Sequence, residues 1–376
     1  MSMKRGIVTE RTSTAARPIS VSSTLPIGLV VLSSVVAEGV YGFDSPKQAV
    51  DLFKDIADTG NGAKYLRLGQ DTFNLIVPTI VSVAKKHATA GTQKANVIKA
   101  INRLKTASSV VGFKPDVVVV ANDGFDVDVI NATISVCDAI KARSFVDLNA
   151  TSNGEAITRR GSFDSDRITV AKCPLGIFNV VTSVTDFYDA GVMLGWLRCS
   201  VDGGSSVGFS HSISNRSLLI SSVKSPSEFY AGNPDETDPL TEKQIMSFIH
   251  YKGFRSWEYA TCSSDAIWQD ARRVRIFDLA AAAVLDGVFF AVDKDISALA
   301  SAKDSLRAFM NDLVGDNVMA GFKVYLDTER TTETRITAGE FYFVIEAQEM
   351  PSPRLIHITF NKVDDYSSVI YKQIKG

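Results

Sequence analysis

The residues best suited to nucleophilic chemistry are Ser210 and His211, in the segment GFSHS. A serine hydroxyl becomes a nucleophile when a base lies within hydrogen-bond reach and a third group orients that base. GFSHS lacks the G-x-S-x-G turn of α/β hydrolases, and adjacent residues rarely meet as nucleophile and base. The segment therefore favours a polar loop, with an α/β hydrolase-like enzyme as the alternative function.

Two clusters of charged residues offer binding chemistry instead. The segment NDGFDVDV at residues 122–129 groups carboxylates that could bind a cation, but its order is not that of an EF-hand. A turn with a helix N-cap is the favoured interpretation. Arg272, Arg273 and Arg275 could bind an anion, although a solvated or interface-facing side of a helix is favoured.

Other cofactor motifs are missing from the sequence. The four histidines have no metal-ligand spacing, and no glycine-rich phosphate-binding pattern occurs. The four cysteines lie far apart without a C-x-x-C pair, which predicts buried thiols in a reducing compartment. One long-range disulfide is the alternative. We predict no catalytic residue, no metal ligand and no cofactor.

The composition is that of a globular protein without a strong electrostatic preference. The chain has 376 residues, of which 45% are hydrophobic and 22% charged, and its formal net charge is −2. This length allows two domains or one large one, and the charge provides no basic surface for nucleic acid. The run LPIGLVVLSSVVA at residues 25–37 is too short to span a membrane and predicts a buried strand. We therefore expect neither nucleic-acid binding nor membrane insertion.

From residue 25 onward, strand and helix patterns alternate. Ser45 and Pro46 mark the start of an amphipathic helix, and the apolar run in KPDVVVVANDG predicts a central strand. This alternation predicts a layered α/β outer domain with parallel strands over residues 25–240. The segment 224–240 is rich in proline and acidic residues and is the predicted domain boundary.

Residues 241–363 predict a second domain of the α+β class. Two long helices are expected, one capped by Asp265 and one over residues 297–313. Three alternating strands follow in FKVYLDT, EFYFVIEA and RLIHITFNK. The polar face of the second helix is a candidate for a weak, exchangeable contact, because exposed ion pairs contribute about 0–1 kcal/mol each, and a face that contacts only solvent is the alternative. Its charged residues are Lys303, Asp304, Arg307 and Asp312.

Both chain ends hold strand-like segments outside the two predicted domains. The N-terminal arm, residues 1–24, contains GIVTERT, and the C-terminal arm, residues 364–376, contains YSSVIYKQI. An isolated strand gains its hydrogen bonds by adding to the edge of a neighbour's sheet, and head-to-tail repetition generates rings or helical filaments. Folding back of either arm on its own domain is the alternative. The residues expected to exchange are Ile7, Val8, Thr9, Val369, Ile370 and Tyr371.

The last third of the chain resembles the tail sheath proteins of contractile phages, especially those of the myophage and R-type pyocin kind. The segments GFRSWEYATCSSD, FFAVDKDIS, FKVYLDT and EFYFVIEAQEMPSPRLIHITF follow in the order of that family. Those sheaths carry G-[FY]-R-x-W-G-N-R-T, then W-A-V-D-[KR]-x-I-T, then a strand leading into a proline-containing turn. This sequence departs from the pattern at Glu258, Tyr259, Ala260 and Phe290.

The resemblance implies a structural protein without enzymatic activity. Subunits of this family have an inner domain that lines a tail tube, here residues 241–363, a variable outer domain, and arms that complete a sheet in adjacent subunits. Hexameric rings stack around the tube and contract to drive it through the target envelope. The implied partners are the subunit itself, a tail tube protein, and baseplate and tail terminator proteins. The implied location is the tail of a virion or released particle, assembled in the host bacterial cytoplasm; a non-contractile tube or scaffold protein is a further alternative.

Overall fold

The computed structural model describes residues 18–22, 25–121 and 124–375. The strands are β1 (Ile27–Ser33), β2 (Gly39–Phe43), β3 (Thr79–Lys85), β4 (Val117–Val120), β5 (Arg143–Asp147), β6 (Ile168–Ala171), β7 (Leu175–Asn179), β8 (Val184–Tyr188), β9 (Ser222–Val223), β10 (Ile245–His250), β11 (Phe254–Trp257), β12 (Met319–Leu326) and β13 (Phe343–Glu349). The α-helices are α1 (Pro46–Val50), α2 (Gly62–Arg67), α3 (Ala90–Arg103), α4 (Ala107–Val111), α5 (Val127–Ile140), α6 (Asn153–Arg160), α7 (Ala190–Gly203), α8 (Asp238–Glu242), α9 (Ala271–Val288), α10 (Ile296–Gly315), α11 (Glu333–Thr337) and α12 (Ser367–Lys375). Short 3₁₀ or π turns extend α1, α2, α3 and α9.

Eight strands form one central sheet in the order β11-β10-β6-β5-β4-β1-β3-β2. The strands from β10 to β3 pair in parallel, and an antiparallel strand flanks each edge. The chain leaves β1 on one side to form β3 and returns on the other side to form β4, as in doubly wound folds. The predicted mixture of helices and strands is confirmed.

Strand β1 shows why its sequence is apolar throughout. All of its residues are buried, since helices cover both faces of the sheet. Leu29 and Val31 face the core formed with α1, α2 and α7, and Val30 and Leu32 face the core formed with α3 and α5. No helix among the described residues is long and apolar enough to cross a membrane.

The central sheet continues across the predicted domain boundary at residue 240. Strand β10 pairs with β6, with Ile245 beside Val170, and β11 extends the same sheet. The segment 224–240 is packed rather than linker-like, because the buried Lys172 donates to Ser227 Oγ at 2.8 Å and Leu240 is fully buried. Proline and acidic residues shape turns here, but composition does not reveal whether a turn is packed.

A second core lies between α9, α10 and the β12–β13 hairpin. Leu306, Phe309 and Leu313 of α10 pack with Ile276 of α9 and Met319 of β12. The predicted amphipathic helix over residues 297–313 is confirmed, as are the strands predicted in FKVYLDT and EFYFVIEA. The apolar spacing on these elements therefore predicted which sides meet.

Helix α9 begins later than the sequence predicted. Asp270 caps it and accepts a hydrogen bond from the N–H of Arg272 at 2.8 Å. The expected cap, Asp265, accepts from the N–H of Ile267 in the turn before the helix. Both aspartates satisfy backbone donors in the same way, and the extended backbone of Asp270 makes it the residue at which the helix starts.

Buried charges join α9 to the central sheet. Arg275 is 1% exposed, and its Nη2 lies 2.8 Å from Asp116 Oδ2, just before β4. The same nitrogen lies 2.5 Å from Asp202 Oδ2 in α7, and Asp202 also pairs with Arg198 at 2.7 Å. The prediction of a solvated or interface-facing side is thus wrong for Arg275, because carboxylates from distant segments meet it inside the protein.

Candidate assembly interface

The segment GFRSWEYATCSSD links the sheet to α9. Gly253 has φ +103° in the turn between β10 and β11, a conformation that favours glycine. Tyr259 stacks on Phe145 of β5 with 6.4 Å between the ring centres, and Cys262 forms a β-bridge with Ser165. These contacts are structural.

The residues considered for nucleophilic catalysis do not form a catalytic pair. The Ser210 hydroxyl is buried and donates to the carbonyl of Val207 at 2.8 Å. His211 is exposed; partial burial and the nearby Arg216 lower its pKa. Within the carboxylate segment, Asp126 is the N-cap of α5 and accepts from the N–H groups of Asp128 and Val129. No group of metal-ligating side chains occurs among residues 18–22, 25–121 and 124–375.

The chain after β13 leaves the body of the protein without forming the third predicted strand. No backbone–backbone hydrogen bond joins residues 351–363 to any described residue, so the strand expected in RLIHITFNK is absent. Its apolar side chains face outward: Leu355 is 74% exposed and Phe360 is 94% exposed. Alternating apolar residues favour a strand only where a neighbouring edge can pair with it.

Helix α12 occupies the predicted C-terminal arm. Val369, Ile370 and Tyr371, expected in a strand, lie in this helix in the single chain and are exposed. The segment SSVIYKQIK also has a helical spacing of apolar residues, which explains the difference. Strand exchange requires a second subunit and stays a prediction. Ile7, Val8 and Thr9 lie outside the described residues.

Three arginines hold the base of this C-terminal segment. Arg272 Nη1 donates to the carbonyl of Met350 at 2.6 Å, and Arg273 Nε lies 2.6 Å from Glu349 Oε1. Arg354 pairs with the buried carboxylate of Glu258, one of the positions that depart from the family pattern. Sequence spacing gave no signal for these contacts, because the partners lie far apart along the chain. The segment therefore starts from a fixed point on the protein.

The β12–β13 hairpin lies next to this fixed point. It is a two-stranded sheet, so each strand has one edge without a neighbouring strand in the described part of the chain. Such an edge presents backbone N–H and C=O groups to which another chain can add a strand.

Helix α10 presents the predicted charged face to the outside. Asp304, Arg307 and Asp312 are exposed and Lys303 is half-buried. None of the four forms an ion pair with another residue that the structure describes. Arg307 also lines a shallow groove with Asn311, Phe322, Lys323 and Val324.

Comparisons with known proteins match nearly the whole chain, although no protein-family model matches it. A prophage major tail sheath protein of Pseudomonas aeruginosa (strain UCBPP-PA14) is 25% identical over 370 residues, covering 93% of this chain and 94% of that protein. The tail sheath protein of Escherichia phage P2 is 22% identical over 368 residues, covering 92% and 91%. This chain belongs to the contractile tail sheath proteins.

The fold of this sheath protein agrees with a solved sheath. The helical sheath of the anti-feeding prophage in its contracted state matches with a TM-score of 0.70 at 16% identity, covering 96% of this chain and 100% of that one. Sheath proteins are structural and not enzymatic. The α/β hydrolase alternative is therefore wrong.

Proposed function

We propose that this sheath protein polymerises as stacked hexameric rings around a tail tube and contracts to drive the tube through a target cell envelope. The observation that carries the proposal is the exposed C-terminal segment, residues 351–375, which we call the arm. It extends the predicted arm of residues 364–376 back to the base at Met350.

Exposed apolar residues on the arm favour its binding to a neighbouring subunit. Leu355, Ile356, Ile358 and Phe360 are each more than 70% exposed. Burial of one such side chain contributes about 1.5–3 kcal/mol. An arm paired with the open edge of a β12–β13 hairpin in an adjacent subunit would also satisfy its backbone groups. The N-terminal arm, with Ile7 to Thr9, is proposed to contribute in the same way.

The arm also suits a subunit that must move without leaving its neighbours. Its base is held by Arg272, Arg273 and Arg354, while residues 355–363 have no backbone partners among the described residues. Backbone pairing at the far end can therefore persist while the subunit bodies rotate. The energy of contraction then lies in the difference between subunit interfaces in two states.

We further propose that the charged face of α10 contacts the tail tube. Contacts between exposed charges are individually weak, so they can be released when the sheath contracts. The other proposed partners are the baseplate, where assembly begins, and the tail terminator. Assembly is proposed to occur in the host cytoplasm, before the sheath acts in the tail of a phage or phage-like particle.

Electron microscopy of the purified full chain tests the role of the arm. We expect hollow striated cylinders of uniform width from the full chain. Removal of residues 351–376 should leave the circular dichroism spectrum of a folded protein but abolish the cylinders.

A matched pair of substitutions separates arm binding from general surface hydrophobicity. Ile356→Ser with Ile358→Ser should weaken assembly, whereas Ile56→Ser with Ile76→Ser should not, although all four isoleucines are highly exposed. Cylinders from the truncated chain at the yield of the full chain would contradict the proposal.

A further inference from the structure

The buried Arg143 at the start of β5 lacks the acceptors that a guanidinium requires. It is 3% exposed, and neither its Nη1 nor its Nη2 has a hydrogen-bond partner in the described part of the chain. Burial lowers the pKa of Arg143, but an arginine side chain keeps its proton at neutral pH. A positive charge is therefore enclosed in the core, which is strongly unfavourable unless something compensates it.

The surroundings of Arg143 are defined by the sheet and by α9. Its backbone N–H donates to the carbonyl of Asp116 at 2.9 Å, next to the carboxylate that binds Arg275. Residues two apart in a strand share a face, so Arg143 lies on the same side as Phe145. The ring of Tyr259 stacks on Phe145 on that side.

Further unpartnered donors occur at the same place. Tyr259 Oη and Arg275 Nε and Nη1 are buried and have no hydrogen-bond partner in the described part of the chain. The phenol of Tyr259 lies close enough to act on the pKa of both Arg143 and Arg275. Arginine nitrogens donate only, and a protonated phenol can donate. Asp116 Oδ2 and Asp202 Oδ1 also lack a well-directed hydrogen bond from a described residue, but each lies within 2.8 Å of an arginine nitrogen, so the unpartnered donors outnumber the unpartnered acceptors.

The nearby carboxylates are already engaged. Asp116 binds Arg275, and Asp202 binds both Arg275 and Arg198. Asp278 pairs with Arg167, whose Nη1 lies 2.5 Å from Asp278 Oδ2. The buried cluster thus holds three arginines and two aspartates: Arg143, Arg198, Arg275, Asp116 and Asp202. Arg143 is the arginine that forms no ion pair with a carboxylate among the described residues.

We propose that Arg143, Tyr259 and Arg275 form a buried binding site for one small monovalent anion, of the class of chloride. The negative charge of the anion balances the positive charge of the excess arginine. The anion also accepts hydrogen bonds from the unpartnered N–H and O–H groups. A water molecule could accept these hydrogen bonds, but it would leave the positive charge of the excess arginine without compensation. Because its ligands come from β5, from α9 and from the segment between β11 and α9, the anion fastens the α9 core to the central sheet.

Halide binding to the intact protein tests the proposal. Thermal unfolding of the full chain is measured in sodium chloride and in sodium gluconate at equal ionic strength, since gluconate is too large for a buried site. We expect the unfolding temperature to rise with chloride concentration, steadily with its logarithm once the concentration exceeds the Kd, and to stay lower in gluconate at the same ionic strength. Crystals grown in sodium bromide should show an anomalous bromide peak between Arg143, Tyr259 and Arg275.

Two variants separate specific binding from a general salt effect. Arg143→Met removes the excess charge, so it should unfold at the same temperature in both salts and should be at least as stable as the native chain in gluconate. Arg307→Met, on the exposed face of α10, should keep the response to chloride. Equal unfolding temperatures of the native chain in the two salts, with no bromide peak, would overturn the proposal in favour of ordered water. The bromide peak decides the question even if Arg143→Met does not fold.

Discussion

Buried acidic residues give this sheath protein a specific response to pH. Asp147 ends β5, and its two oxygens accept hydrogen bonds from the N–H groups of Asn149 at 2.6 Å and Ala190 at 2.9 Å. Burial nevertheless raises the pKa of Asp147 to about 6. The desolvation penalty of the buried carboxylate thus exceeds the stabilisation that its two backbone hydrogen bonds provide.

We predict that Asp147 makes the folded protein less stable as the pH rises from about 4 to 6. A carboxyl with a folded pKa above its usual value of about 3.9 binds its proton more tightly in the folded state. The stabilisation is complete below about pH 4 and is lost as the pH passes about 6, with a slope of up to about 1.4 kcal/mol per pH unit. Urea unfolding of the native chain and of Asp147→Asn across this range measures the effect.

The difference between the two unfolding curves isolates Asp147 from other carboxylates. Asp58 accepts hydrogen bonds from Ser33 and Ser34 and has a lowered pKa, so it contributes a slope of the opposite sign. Asp304→Asn, on the exposed face of α10, serves as the control and should parallel the native chain. A pH-independent difference between the native chain and Asp147→Asn would show that folding does not raise the pKa of this carboxyl.

Helix α10 combines two tasks on its two faces. Leu306, Phe309 and Leu313 pack in the core with α9, and Asp304 and Arg307 face outward. The outward charges have no ion-pair partners among the described residues, so they are available to a partner protein. Their substitution leaves the apolar face unchanged.

We predict that reversing two charges on α10 abolishes tube attachment without preventing folding. The double change Lys303→Glu and Arg307→Glu should remove co-sedimentation with a co-expressed tube protein, because attraction becomes repulsion at the proposed contact. The control is Lys47→Glu with Lys54→Glu, two exposed lysines near α1. Normal assembly around the tube by the α10 variant would exclude this face as the contact.

The protein as a complete body is held together across its two cores by buried charge. Arg275 of α9 binds Asp116, next to β4, and Asp202 of α7, so α9 and the central sheet share one network. Under the proposed function, a subunit connected in this way would move as a largely rigid body, with flexibility left to the arms. A non-contractile tube would not need such arms to act as hinges.

We predict that Arg275→Met lowers the free energy of unfolding by about 3–5 kcal/mol, because it leaves two buried aspartates without their shared partner. Denaturant unfolding followed by tryptophan fluorescence measures this loss, since Trp196 lies in the sheet core and Trp268 contacts Phe277 of α9 edge to face. Arg307→Met is the control and should change stability by no more than about 0.5 kcal/mol. A small effect of Arg275→Met would mean that packing alone joins the two cores.

Local patterns in the sequence were sufficient for several elements of the fold. The unbroken apolar run of β1 predicted a strand buried on both faces, and the spacing of Leu306, Phe309 and Leu313 predicted the inner face of α10. The order of motifs in the last third predicted the sheath family. For β1 and α10 the information lies within a few turns or residues of the element itself, because periodicity reports which side of it is apolar.

Contacts between distant segments were decided by the folded chain. The pairing of β6 with β10, across 75 positions from Val170 to Ile245, placed β10 in the central sheet despite the turn-rich segment before it. Arg275 is buried because Asp116 and Asp202 meet it there, and charge burial depends on such partners rather than on helical spacing. RLIHITFNK has the pattern of a strand, but a strand needs an edge, and its own chain supplies none among the described residues.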